Sequence, residues 1–213
     1  SDQDAVALVR KHNIDIAIDL TGLTANCRPN LFAYRVAPVQ VNYLGYSATM
    51  GAPYIDYIIA DPVVIPQELE EGYSEKIVYL PNSYQVNDRQ RQIADSNFSK
   101  AQCGLPEHGF VFCCFNNSFK IIPAIFDVWM RVLQNVSGSV MWLLEDNAKA
   151  AENLRMEAKQ RGINPERLIF ASRMPLSEHL ARHHLADLFV DTFPCNAHTT
   201  ASDALWAGLP VVT

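Results

Sequence analysis

The chain has 213 residues, of which 49% are hydrophobic and 19% charged, a composition that indicates a packed globular protein and excludes wholesale disorder. Its 17 basic and 23 acidic residues give a net charge of −6, and because no basic run or stripe is present we expect no nucleic-acid partner. No uninterrupted apolar stretch reaches the roughly 18 residues that a membrane span requires, so we expect no membrane partner.

Strand and helix patterns alternate in the first part of the chain. An amphipathic stretch predicts a helix over residues 4–11, and residues 66–72 are predicted as a short helix that ends at a glycine. Apolar runs predict strands at residues 14–20, 39–44, 57–60 and 76–80. The first of these runs, IDIAIDL, has the composition of a buried strand.

The alternation is more regular in the second part of the chain. Predicted strands occupy residues 110–115, 139–144, 168–171, 187–191 and 209–213. Predicted helices occupy residues 123–136, 147–161, 176–184 and 200–207. Because the strands lack polar alternation, they fit a parallel sheet that is covered on both faces and built from βαβ units.

A polar stretch separates the two parts of the chain. Residues 86–106 are predicted as a linker between a first domain at residues 1–85 and a second domain at residues 107–213. The last predicted strand has no element after it, which leads us to expect that the sequence is a fragment.

The sequence lacks several signatures that would define its chemistry or its setting. It contains no Gly-x-Gly-x-x-Gly, no Gly-Lys-Ser/Thr phosphate loop and no Gly-x-Ser-x-Gly, which argues against a NAD enzyme, a P-loop NTPase and an α/β-hydrolase. The five cysteines are odd in number and include no Cys-x-x-Cys pair. A reduced, cytoplasmic setting therefore fits better than a disulfide framework.

Ligands in open α/β sheets collect at the carboxyl ends of the strands, and the loop FNNSFK at residues 115–120 follows a predicted strand. Its two amides and Lys120 suit an anionic ligand rich in oxygen. The same residues are compatible with an ordinary turn, in which an asparagine adopts an unusual backbone conformation.

The loop at residues 191–203 leads from a strand into a helix. His198, Thr199 and Thr200 fall at the helix start, where free N–H groups and the helix dipole favour an anion. Asp203, one turn along, could accept hydrogen bonds from a vicinal diol. A threonine cap followed by an acidic residue is the alternative.

A third loop, at residues 173–179, brings His179 to the next helix, where its ring could stack on a base or hydrogen-bond to it. His179 and His183 are four residues apart and could offer two metal ligands on one helix face. No third ligand is evident and the order is not His-Glu-x-x-His, so we expect no metal; a solvated helix face is the alternative.

Long strings of the sequence resemble a known enzyme family. EHLARHHLADLFVDTFPCNAHTTASDALWAGLPVVT, at residues 178–213, resembles the nucleotide-binding part of the O-linked N-acetylglucosamine transferases, the inverting protein glycosyltransferases of the SPINDLY/O-GlcNAc group. FNNSFKI resembles the lysine loop of that family, and residues 19–61 resemble the end of its amino-terminal catalytic lobe. The resemblance implies an α/β, GT-B fold of two Rossmann-like lobes with parallel sheets, both incomplete in this fragment. Residues 1–85 would end the first lobe, and residues 107–213 would form the nucleotide-binding part of the second.

The resemblance also assigns residues. Lys120 and His198 are the implied catalytic residues, and Lys120 would steady the diphosphate leaving group. The residues implied to bind the nucleotide sugar are His198, Thr199 and Thr200 at the diphosphate, Asp203 at the ribose, His179 at the uracil, Asn117 near the phosphates, and Leu44 and Gly45 beside the sugar.

Three departures from patterns found in the family are visible. Ser47 and Ala48 replace the proline and glycine of the L-G-Y-P-G-T string found in many relatives, and Leu176 replaces a lysine of the animal enzymes. The segment between the lobes is also short, whereas animal enzymes carry a long insert there. The resemblance is therefore to a bacterial type of enzyme.

The activity implied by the resemblance is the inverting, metal-independent transfer of N-acetylglucosamine from UDP-GlcNAc to Ser/Thr hydroxyls of proteins. The donor is a substrate, and no cofactor is expected. The implied partners are the UDP-sugar donor, a protein acceptor and, in the full-length chain, tetratricopeptide repeats. The fragment alone is expected to be inactive, since the candidate catalytic histidine of the family lies upstream. A GDP-fucose protein O-fucosyltransferase, a nucleotide-binding domain without catalysis and a sugar-nucleotide epimerase are the alternatives.

Overall fold

The structure, a computed structural model, describes residues 1–95 and 98–213. The chain divides into two compact units, Ser1–Val86 and Asn87–Thr213, and each unit has its own parallel sheet. The α/β class and the parallel pairing predicted from the apolar runs are therefore present in both units.

The first unit is built on a sheet whose four strands follow chain order. Its strands are β1 (Ile16–Asp19), β2 (Val39–Tyr43), β3 (Tyr57–Ala60) and β4 (Lys76–Tyr79), and its helices are α1 (Asp2–Lys11) and α2 (Pro29–Ala33). Neighbouring strands pair in the order β1-β2-β3-β4. The register aligns Asp19 with Asn42, so the carboxyl ends of β1 and β2 lie side by side.

Three features of the first unit differ from the sequence predictions. Helix α2 has only five residues, too few to show a helical period, although Pro29 at its first position favours a helix start. The helix predicted at residues 66–72 is the 3₁₀ helix Gln67–Gly72. Strand β1 was predicted to be buried, yet Ile16 and Ile18 are 57% and 48% exposed, because β1 is an edge strand whose apolar face is left uncovered.

In residues 87–95 and 98–213, the second unit contains five strands and four α-helices. Its strands are β5 (Val111–Cys114), β6 (Val140–Leu144), β7 (Leu168–Ala171), β8 (Leu188–Val190) and β9 (Val211–Val212), and its helices are α3 (Pro123–Asn135), α4 (Ala148–Gln160), α5 (Leu176–Arg182) and α6 (Thr199–Trp206). The strand order is β7-β6-β5-β8-β9, and every pair is parallel. The chain thus runs outward from β5 to β7 and then returns to β8, which creates a topological switch point between β5 and β8.

The core of the second unit lies between its central strands and the flanking helices. Every residue of β5 is buried, as the continuous apolar run predicts. Helix α3 begins with Pro123 at its first turn and buries Phe126, Trp129 and Leu133 at helical spacing. These contacts hold β5 in place, and the polar loops that follow the strands are positioned by this rigid base.

The segment predicted as a linker, residues 86–106, begins where the two units divide. Residues 87–95 belong to the second unit, and the backbone N–H of Ala94 donates to the carbonyl of Ser177 at 3.0 Å. Arg91 forms an ion pair with Asp203 on α6. This part of the segment therefore packs on the second unit.

The cysteines and the helices were examined for disulfide bonds and for membrane-spanning segments. All five cysteines carry free thiols, and burial in β5 raises the pKa of Cys114 to about 12, which makes it an inert core residue. Within residues 1–95 and 98–213, no helix has the length and apolar character needed to cross a bilayer.

Candidate functional site

A buried amide joins the two strands of the switch point. Asn116 follows β5, is 2% exposed, and donates through Nδ2 to Asp191 Oδ1 at 3.0 Å and to Thr192 Oγ1 at 2.7 Å. Both acceptors follow β8, which pairs with β5 in parallel. The loops at the two carboxyl ends are therefore fixed to each other at the position where open α/β sheets bind ligands.

Asp191 organises the loop that runs from β8 to α6. Its carboxylate accepts from the backbone N–H groups of Thr192 and Ala197 at 2.7 and 2.8 Å, and from the Thr213 hydroxyl at 2.7 Å. A carboxylate that accepts several backbone bonds holds a loop in one conformation. Asp191 thereby sets the direction from which the chain enters α6.

The start of α6 faces this organised loop. His198 is its N-cap residue, and no side chain of the described residues caps the helix there. The Thr200 hydroxyl donates to Asn116 Oδ1, which ties the first helical turn to the switch point. Thr199 is exposed. The amino end of α6 thus presents N–H groups and a positive dipole beside the loop, as an anion site requires.

Lys120 meets the same loop from the β5 side. It ends the 3₁₀ helix Ser118–Lys120, which begins where the Ser118 N–H donates to Asp146 Oδ2 at 2.8 Å. The Lys120 Nζ donates to the Asn196 carbonyl at 2.8 Å, two residues before the N-cap of α6. The structure therefore brings Lys120, His198, Thr199 and Thr200 together around one loop, and the ammonium adds its charge to the helix dipole.

Three effects act on the pKa of His198, and together they lower it from its ordinary value. Burial lowers the pKa of His198, the Lys120 ammonium lowers it further, and the Asp191 carboxylate opposes both effects. A neutral imidazole can donate from one ring nitrogen and accept at the other. The positive charge of this cluster therefore comes from Lys120 and the α6 dipole.

His179 lies on α5, in an aromatic group behind β5. Its ring centroid is 5.2 Å from that of Phe115 and 4.7 Å from that of His183, and the His183 Nδ1 lies 2.7 Å from the His179 carbonyl. Burial lowers the pKa of His179 to about 3, helped by the buried guanidinium of Arg182. His179 is thus a neutral, half-buried ring that could pack on a base. Among the residues that the structure describes, no group of three or more potential ligands could hold a metal ion.

Asp203 and Asn117 are engaged by arginines. Asp203 is buried on the second turn of α6 and accepts from Arg91, while burial raises the pKa of its carboxyl. Asn117 is exposed, and its Oδ1 accepts from Arg173 at 3.2 Å. Helices α5 and α6 contact each other, so His179 and Asp203 lie on adjacent elements.

Leu44 and Gly45 form a tight turn after β2 in the first unit. The Gly45 N–H donates to the Tyr43 carbonyl at 3.0 Å across Leu44, whose φ is +71°. A Cβ at Gly45 would lie 2.2 Å from the Leu20 carbonyl oxygen, so only glycine fits this approach to the end of β1.

Sequence reasoning gave no individual role to four residues of the cluster. Asn116, Asp191 and Asn196 connect the candidate residues, and Arg91 neutralises one of them. Asp191 could have been found from its place directly after a predicted strand. Asn116 could have been distinguished from Asn117, because the side chains of consecutive residues in an extended chain point to opposite sides. No sequence pattern points to Arg91.

Comparisons with known proteins identify a family for this chain. The model of Glycosyl transferase family 41 matches residues 1–98 and 96–213. A relative from Arabidopsis thaliana, named probable UDP-N-acetylglucosamine--peptide N-acetylglucosaminyltransferase SEC, is 41% identical over 216 residues, which cover 99% of this chain and 22% of the relative. A relative from Solanum lycopersicum with the same activity name and the designation SPINDLY is 34% identical over 97% of this chain and 22% of its own length. The chain thus spans 22% of the length of these curated relatives.

A solved structure extends the likeness to three dimensions. A mutant of the O-GlcNAc transferase of Thermobaculum terrenum matches with a TM-score of 0.85 and 32% identity, over 100% of this chain and 40% of that chain. The family resemblance and the α/β, GT-B class predicted from the sequence are confirmed by these matches.

Proposed function

The chain belongs to glycosyltransferase family 41, and from this we propose that the complete protein transfers N-acetylglucosamine from UDP-GlcNAc to Ser/Thr hydroxyls of proteins. The activity names of the Arabidopsis and tomato relatives support this donor and a peptide acceptor. The observation that carries the proposal is the loop shared by Lys120 and the start of α6, because it joins an ammonium to free helix N–H groups at the switch point.

The proposed role of this cluster is to stabilise the leaving group. Transfer breaks the bond between the anomeric carbon and the β-phosphate oxygen and forms a new bond between that carbon and the acceptor oxygen. The UDP leaving group keeps the bonding electron pair, and the hydroxyl proton is released with it. The negative charge that develops on the diphosphate would be met by Lys120 and by the first N–H groups of α6. Because these groups already supply positive charge, we propose a metal-independent reaction.

An in-line attack by the acceptor hydroxyl would invert the configuration at the anomeric carbon. Such a displacement depends strongly on the positioning of the two reactants. In this proposal His198 and Thr199 lie beside the diphosphate, with His198 as a neutral hydrogen-bonding group.

The remaining assignments concern the nucleoside and the sugar. We propose that Asp203 accepts from the ribose hydroxyls, that the neutral ring of His179 packs on the uracil, and that Asn117 lies near the phosphates. The turn at Leu44 and Gly45 would border the sugar. The low pKa of His179 supports its proposed packing on the uracil, because it keeps the ring uncharged.

Transfer of labelled sugar by the complete gene product tests the function. With UDP-[³H]GlcNAc and a protein acceptor, we expect label in protein, and K120M should lower the rate by roughly 10²–10³. K149M is the control, since Lys149 is an exposed helix residue paired with Glu152. Transfer from GDP-fucose with none from UDP-GlcNAc would overturn the proposed donor.

The proposal extends to the surroundings of the enzyme. We propose a cytoplasmic location, which the free thiols support, and tetratricopeptide repeats elsewhere in the complete protein as the acceptor-binding part. The complete reading frame tests the second point, since helical repeats of about 34 residues should be visible in it.

A further inference from the structure

A segment with no predicted function inserts an arginine against α6. Arg91 donates through Nη1 to Asp203 Oδ1, and the two side chains retain only 10% and 7% of their exposure. The two residues are 112 positions apart in the sequence. This contact therefore packs residues 87–95 against α6. The helix and its N-cap residue include four candidate site residues, His198, Thr199, Thr200 and Asp203.

Trp206 fixes the arginine from a second side. The guanidinium carbon of Arg91 lies 5.3 Å from the centre of the Trp206 ring, and the indole Nε1 donates to the Arg91 carbonyl at 3.3 Å. The Arg91 Nε also donates to the carbonyl of Asp88 at 3.2 Å. Arg91 is thus held by its own turn and by two residues of α6, which are one helical turn apart.

Burial and Arg91 act in opposite directions on the pKa of Asp203: burial raises it and the guanidinium lowers it. A carboxyl group at this depth loses hydration, and without a cation it would favour the protonated form. Within the described residues, the Asp203 side chain accepts one hydrogen bond, from Arg91 Nη1 to Oδ1. The second oxygen, Oδ2, keeps its capacity to accept from a ligand.

We propose that Arg91 is a positioning residue of the nucleotide site, which holds Asp203 as a carboxylate and directs its Oδ2 to a ribose hydroxyl. The inference rests on the proposed function, in which Asp203 accepts from the ribose. It adds residues 87–95 to the site, since this segment supplies the counter-charge and packs on α6 through Trp206. The ligand class is a nucleoside diphosphate that retains its 2′ and 3′ hydroxyls.

The test compares two ligands that differ only at the ribose. Calorimetry on the complete gene product gives the Kd of UDP and of 2′,3′-dideoxy-UDP for the wild type, R91M, R91K and R89M. We expect the wild type to prefer UDP by roughly tenfold or more, because a hydrogen bond to a charged group is lost with the hydroxyls. R91M should lose most of this preference and R91K should retain part of it. R89M should match the wild type, since Arg89 is exposed and two residues away.

A double-mutant cycle separates positioning from a merely structural role. D203N should abolish the preference for UDP, and R91M added to D203N should change it no further. The inference is overturned if folded R91M keeps the full preference, or if R91M weakens both ligands equally in the two backgrounds. Where R91M does not fold, R91K is judged by the same criterion. If the wild type binds no UDP, the proposed function itself is refuted. If the wild type binds UDP, D203N loses the preference for UDP over the dideoxy ligand and R91M keeps it, this inference alone is refuted.

Discussion

Asn116 is the residue on which the geometry of the switch point most depends. Its amide donates to Asp191 and Thr192 and accepts from Thr200, so one buried side chain joins β5, the loop after β8 and α6. Buried amides with all their partners in place specify a single arrangement of the surrounding backbone. Asn117, the next residue, is exposed and contacts Arg173.

The substitution N116A tests this difference. It removes the shared partner of three buried or half-buried polar groups, and we expect the free energy of unfolding to fall by roughly 2–3 kcal/mol. N117A is the matched control and should change it by no more than about 0.5 kcal/mol. Urea denaturation of the two variants gives both numbers, and equal effects would mean that the amide network does not support the fold.

His183 makes stability depend on pH. Burial lowers the pKa of His183 to about 4, from an ordinary value of 6.5. Between these values the unfolded chain binds a proton that the folded chain does not, so stability falls as the pH falls from about 6.5 towards 4. H183Q should reduce this loss by up to about 3 kcal/mol.

Denaturation at a series of pH values measures the effect. H184Q is the control, because His184 is exposed on the neighbouring position of the chain. A loss of stability on acidification that is the same in H183Q and in the wild type would contradict the assignment to the buried imidazole.

At the scale of elements, the loops after the strands carry the site, and their positions were partly predictable. The apolar run at β5 and the run at β8 mark where each strand ends, so Lys120 and the start of α6 could be placed at carboxyl ends from the sequence. The sequence could not show that β8 pairs with β5, because strand order depends on contacts between residues far apart in the chain. The meeting of Lys120 with Asn196 follows only from that pairing.

The turn after β2 gives a prediction for a single element. G45A would place a Cβ 2.2 Å from the Leu20 carbonyl oxygen, and neither backbone can move without distorting β1 or β2. We expect a loss of roughly 1–3 kcal/mol in the unfolding free energy of the first unit. G72A is the control, since a Cβ at Gly72 meets no atom within 4 Å. Hydrogen exchange of β1 and β2 amides reports on this unit directly, and unchanged exchange in G45A would contradict the predicted clash.

At the scale of the whole molecule, the alternation of apolar runs was enough to predict an α/β protein with parallel strand pairing. The polar stretch supplied the predicted boundary between two domains. The packing of residues 87–95 could not be predicted, because a polar stretch such as NDRQRQ looks like a linker whether or not it contacts a neighbour. Its contacts with Asp203 and Trp206 span more than a hundred residues and leave no local pattern. The exposure of the apolar face of β1 could not be predicted either, because burial depends on which elements cover a strand as well as on its composition.

Ligand linkage gives the prediction for the complete protein. A ligand that binds only the folded state stabilises it by about 2.7 kcal/mol at a concentration of 100 times its Kd. UDP should therefore raise the melting temperature of the second unit by on the order of 10 °C. K120M should lose most of this shift, because it removes the ammonium beside α6 that we propose to contact the diphosphate. GDP at the same concentration should give a smaller shift, and K149M should behave as the wild type. A shift from GDP as large as that from UDP would mean that the pocket does not select uracil, and the assignment of His179 to the base would then be wrong.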